Sequence, residues 1–133
     1  MLYESLKEME HIVEGDEYIA YGASYFISIV KKLKSMDVKE IREALLDLEV
    51  DINNASVNPS AIEDRAADFK MINDIWHFKD EIAEKLRNII CEADGYYRPL
   101  DKDAYYARGN VNDIFRIVKK GEEIILIEFY ACD

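Results

Sequence analysis

The sequence predicts an α+β fold: an N-terminal bundle of about four helices, then a small antiparallel β-sheet. Three observations carry this expectation. Apolar residues recur at helical spacing through residues 1–92. After Gly95 the texture changes to β-branched and aromatic residues. Two such runs, 114–119 and 123–131, are joined by Lys120-Gly121, as in a β-hairpin. With 133 residues, 50% of them hydrophobic, and only 5 Gly and 2 Pro, one domain spanning 1–133 is expected, with a helical part at 1–92 and a loop and hairpin part at 93–133.

The elements follow in order. Leu2, Leu6, Met9 and Val13 form the stripe of a first helix, which Gly15-Asp16 ends. Residues 18–33 read as a second, central helix. Tyr18, Ile19, Tyr25, Phe26, Ile29, Val30 and Leu33 share one broad face, and lysines close its end. Asp37 with Glu40 resembles a capping box for a third helix, whose stripe is Val38, Ile41, Leu45, Leu48 and Ile52. Pro59 breaks the pattern. Ser60 with Glu63 is a capping box for a fourth helical run that reaches about residue 93, with a break near Lys70. In the C-terminal part, Ile124-Ile125-Leu126-Ile127 is apolar on both faces, so its strand should be central, with helices on at least one side. A hairpin alone is marginal, so a third strand is expected from 96–100 or 103–108.

Charge narrows the function. There are 28 Asp and Glu against 17 Lys and Arg, a net charge of −11. That balance argues against direct grip on nucleic acid, which needs a basic footprint. Residues 1–92 hold 20 of the acids and 11 of the bases, so the acidity belongs to the helical part. The third helix orders it best. Glu40, Glu43, Asp47 and Asp51 are spaced 3, 4 and 4, which predicts a row opposite the apolar stripe. A rise of about 1.5 Å per residue separates neighbours by about 4.5–6 Å along the axis. Such a row suits a basic protein partner, because it can occupy a groove meant for phosphate. The same row also serves as an ordinary solvated face.

A second candidate contact is the aromatic and basic stretch Tyr96-Tyr97-Arg98 with Tyr105-Tyr106 and Arg108. Tyr and Arg concentrate at interaction hot spots. One Tyr of each pair is expected to pack inward, which leaves Tyr97, Arg98, Tyr106 and Arg108 as partner-binding candidates. An arginine there would also suit a phosphate.

Other chemistry has few parts. Glu8-x-x-His11 and Asp74-x-x-His77 have the spacing of a metal-binding pair on a helix. Both histidines fall opposite the apolar stripes of their helices, so no metal centre is expected. No phosphate loop, CxxC, HExxH or nucleophile elbow occurs, and no catalytic residue or cofactor is assigned. Cys91 and Cys132 read as reduced thiols, and no signal peptide or membrane span is evident, so a cytoplasmic location is expected.

These observations favour a small acidic protein-binding inhibitor over an enzyme. It would block or neutralise a cationic partner such as a nucleic-acid-handling enzyme or toxin, in the manner of an anti-CRISPR, immunity or antitoxin protein. The alternatives are a homo-oligomeric scaffold or adaptor, and a nucleotide-sequestering protein that uses the Tyr/Arg segment. The sequence leaves the oligomeric state open, a dimer included.

Overall fold

Helical and extended segments alternate as far as residue 100, and two more strands are described after that. The computed structural model describes residues 1–14, 25–48, 56–69, 72, 80–101 and 112–131. The elements are α1 (Leu2–Glu14), β1 (Tyr25–Leu33), α2 (Val38–Asp47), β2 (Val57–Ala61), a 3-10 turn (Arg65–Asp68), α3 (Asp80–Glu92), β3 (Gly95–Leu100), β4 (Asn112–Lys120) and β5 (Glu123–Ala131). The strands form one antiparallel sheet in the order β1-β5-β4-β3-β2.

The fold is α+β, with helices on both faces of the sheet. β5 shows why. Ile125, Ile127 and Phe129 point to one side, where they meet Leu2, Leu6 and Met9 of α1 and Ala83, Leu86 and Ile90 of α3. Ile124 and Leu126 point to the other, where they meet Ile41, Ala44 and Leu45 of α2. A strand with both faces apolar needs cover on each, and here it has it.

Several expectations are corrected. Among the described residues there are three α-helices, not a bundle of four, and the sheet separates α2 from the other two. Within the expected helix at 18–33, Tyr25–Leu33 is a strand on the edge of the sheet; 18–24 lie outside the described residues. An apolar run that includes β-branched and aromatic residues satisfies either period, and pairing with β5 decides it. The capping boxes also fail. Asp37 precedes α2 but makes no side-chain cap bond, and Glu40 Oε1 instead accepts the Lys34 N–H at 3.2 Å. Ser60 belongs to β2, a short edge strand where Pro59 is tolerated. α3 is described over Asp80–Glu92, and Lys70, where the break is expected, lies outside the described residues. The third strand is found at 95–100; the alternative at 103–108 lies outside the described residues.

The β4–β5 hairpin is the anchor. Gly121 has φ 59°, the left-handed conformation that a two-residue turn needs and that glycine adopts without steric cost. Its N–H donates to Asp94 Oδ2 at 2.6 Å, just beyond α3. Glu123 satisfies the first turn of α1: Oε1 accepts the Leu2 N–H at 3.1 Å and Oε2 the Tyr3 N–H at 3.0 Å. Lys32 Nζ sits 4.5 Å from the Tyr3 ring centre, which ties α1 to β1 as well. A Cβ at Gly95 would meet the end of the Tyr97 ring, so a side chain there would push that ring aside.

The Tyr3 N–H, with the Leu2 N–H, the N-terminal ammonium and Lys32 behind it, holds the Glu123 carboxyl below the usual carboxylate range. A lowered folded pKa stabilises above the unfolded value, and that contribution is lost as pH falls through the folded one. Glu123→Gln should therefore cost about 1 kcal/mol at pH 7, of the order of a lost helix cap. The gap from wild type should close as pH falls below about 4.5. Urea titrations of both proteins across that range measure it; a gap that persists at pH 2.5 would contradict the assignment.

Candidate interaction surface

α2 supplies the surface singled out in the sequence, but turned about its axis. Ile41, Ala44 and Leu45 are buried, whereas Val38 is 43% exposed. Burying Ala44 in place of Val38 rotates the apolar face, at about 100° per residue. The acidic row therefore lies along one flank of the helix, not opposite its buried face. Glu43 and Asp47 are exposed one turn apart, and neither has an ion-pair partner among the described residues. Glu40 is half-buried and held by the Lys34 N–H. Asp51 lies outside the described residues. Lys39 and Leu46 lie farthest from the core, with Arg42 and Glu43 beside them; Leu46 is 50% exposed. The outer side of α2 thus offers one apolar side chain ringed by charge of both signs. No other described helix packs on that face of the sheet.

Tyr97 and Arg98 are neighbours in β3, not in a loop, so they point to opposite faces. Tyr97 is half-buried against the α2 core, and Tyr96 is fully buried in the other. Tyr97 and Arg98 therefore cannot clasp one ligand from one side. Tyr105, Tyr106 and Arg108 lie outside the described residues.

Sequence reasoning missed two features. The first is a second acidic row, on α3, where Glu81, Glu84 and Glu92 are exposed at the same 3, 4, 4 spacing with Asn88 between them. Beside it on α1, Glu4 and Glu8 are exposed, and Lys85 reaches Glu8 at 3.6 Å. The stripe Ala83, Leu86 and Ile90 would have located this row. The second feature is a buried polar cluster. Arg116 donates to Asp68 through Nε (2.7 Å) and Nη2 (3.2 Å), and the Tyr96 hydroxyl donates to the same carboxylate. Burial, then the Asp68 charge, raises the Tyr96 phenol well above its ordinary value, so it stays a proton donor. The signal was Arg116 itself, a charge inside an apolar strand run, which demands a partner.

Elsewhere the chemistry is structural. Glu128, fully buried in β5, accepts the Ser28 hydroxyl at 2.5 Å where β1 is bulged. A half-open cleft of about 360 Å³ is lined by Met1, Leu2, Ser5, Ile89, Glu92, Lys120 and Glu123. Its charges are already engaged: Glu123 caps α1, and Glu92 faces Lys120 at 4.0 Å. Among the described residues, no three His, Cys, Asp or Glu side chains come together as metal ligands. His77 and the His11 side chain lie outside what is described, as does Cys132; Cys91 is exposed and free. No described helix is long and apolar enough to cross a membrane. No protein-family model, no curated protein and no solved structure matches the chain.

If Glu43 and Asp47 serve a surface and not the fold, Glu43→Gln with Asp47→Asn should shift stability by no more than about 0.5 kcal/mol. Thermal or urea unfolding measures this; a loss above about 1 kcal/mol would mark them as structural.

Proposed function

We propose that this chain is a small acidic binding protein, not an enzyme, that blocks or neutralises a cationic protein partner such as a nucleic-acid-handling enzyme or toxin. Anti-CRISPR, immunity and antitoxin proteins are the functional types it would join, and the cytoplasm is the location that fits. The observation that carries the reading is the outer side of α2. Glu43 and Asp47 stand exposed without ion-pair partners among the described residues, next to a half-exposed Leu46, on a sheet face with no other described helix. Carboxylates at one-turn spacing steer a basic partner and set register. An exposed leucine among them supplies the desolvated contact that charge alone lacks. Asp51 is assigned to the same contact from its spacing, and Glu40 shapes its edge.

The acidity of the whole chain supports the same direction of attraction. A net charge of −11 raises encounter rates with a basic surface and repels nucleic acid. Partner binding should therefore weaken steeply with salt. A second reading, a homo-oligomeric scaffold, draws on Val38 and Leu46, the apolar side chains that α2 leaves exposed. In that case light scattering finds a defined oligomer that Leu46→Asp dissociates; a strict monomer excludes it.

The test compares affinity capture by wild type with that by a Glu40→Gln, Glu43→Gln, Asp47→Asn, Asp51→Asn variant, each eluted in a salt gradient. The expected result is a basic protein released from wild type as salt rises and retained weakly or not at all by the variant. A matching unfolding curve for the variant guards against loss of fold, since Glu40 holds the chain before α2. Undiminished capture by a folded variant would overturn the assignment.

A further inference from the structure

We propose that residues 60–69 form a strap that opens as a unit from the edge of the sheet, hinged at Asn58 and Pro59 and latched by Asp68. The hinge is where β2 loses register: Val57 pairs with Leu100 and Ser60 with Arg98, with an irregularity between them. Pro59 has no N–H to add to the ladder. On the near side of the hinge the chain is fixed. Val57 is buried in the α2 core, and Ser56 exchanges hydrogen bonds with Asp101. On the far side, β2 lies at the sheet edge and, among the described residues, pairs only with β3.

Beyond the hinge the attachment is largely polar. Arg65 Nη1 donates to the Ile90 and Ala93 carbonyls at 2.7 and 2.8 Å, closing the C-terminal end of α3. Three residues on, Asp68 accepts from Nε and Nη2 of Arg116 and from the Tyr96 hydroxyl. Ile62 and Phe69 rest at the rim of the core without being fully buried, and Glu63, Asp64, Ala66 and Ala67 are exposed. A bidentate ion pair dictates one docking geometry, but much of its attraction is offset by desolvation. The strap is thus held in register by contacts with less net strength than the apolar packing of β4 and β5, the pattern of a unit that opens below the global unfolding free energy. Opening uncovers the outer edge of β3 and the Arg116 and Tyr96 donors.

Hydrogen exchange on the full chain tests this. Ile62, Ala67 and Phe69 have hydrogen-bonded amides in the strap. In wild type they should exchange about 100-fold faster than the amides shared by β4 and β5. Arg65→Ala leaves no buried charge behind, and should speed the strap amides a further tenfold or so while β4 and β5 keep their protection. Asp68→Asn should do the same more strongly, provided it folds; Arg65→Ala decides the matter if it does not. Strap amides that exchange in step with β4 and β5, or a variant effect spread evenly over the sheet, would overturn the proposal.

Discussion

The β4–β5 hairpin imposes the constraint on which the rest depends. Ile124, Ile125, Leu126 and Ile127 are consecutive and all buried, so both faces of their strand must be shielded from water. Each such side chain contributes about 1.5–3 kcal/mol only if its own face is covered. One helical layer would leave half of them exposed. The chain meets the requirement with elements from before the hairpin: α1 and α3 on one side, α2 on the other. The strands β1 and β3 flank the hairpin and complete its backbone pairing. Position in the sequence therefore says little about position in space, because β4 and β5 organise elements that precede them in the chain.

Polar contacts align these layers. Glu123 and Asp94 join the hairpin to the start of α1 and to the chain leaving α3: Glu123 accepts two backbone N–H groups and Asp94 one. Deep in the sheet, Arg116 finds Asp68, and Glu128 finds Ser28. The Arg116–Asp68 pair adds less to stability than the apolar contacts around it, but either charge left unpaired would be costly, so the pair restricts how the strands can register. On the outer side of α2, Glu43 and Asp47 stay exposed and have no ion-pair partner among the described residues.

Much of this was legible in the residues. The hairpin, the strand at 95–100, the need for helical cover, and helices at α1, α2 and α3 all follow from periodicity and turn chemistry. The errors have physical causes. The apolar positions of β1 fit a helical face and a strand equally well, and only its pairing with β5, about 100 residues away, separates the two. β2 hides behind Pro59, which signals a break but is tolerated on an edge. The surface row on α2 was sound in spacing but wrong in rotation, because burial of the small Ala44 outweighs burial of Val38, which sits in the first turn. The Asp68–Arg116 pair spans 48 positions, and no local pattern announces such a contact. Which face of a helix stays exposed depends on these same non-local choices, so the overall acidity is plain in the composition while the placement of each carboxylate is not.

If one hairpin organises both layers, the two cores cannot melt apart. Leu126 serves the α2 side and Ile127 the α1–α3 side, and both are fully buried. The most direct measurement is calorimetric unfolding of Leu126→Ala and Ile127→Ala beside wild type. The account predicts a single transition in all three proteins, with calorimetric and van't Hoff enthalpies equal and each variant destabilised by about 2–5 kcal/mol. Two separable transitions, or one variant that leaves the main transition unmoved, would contradict it.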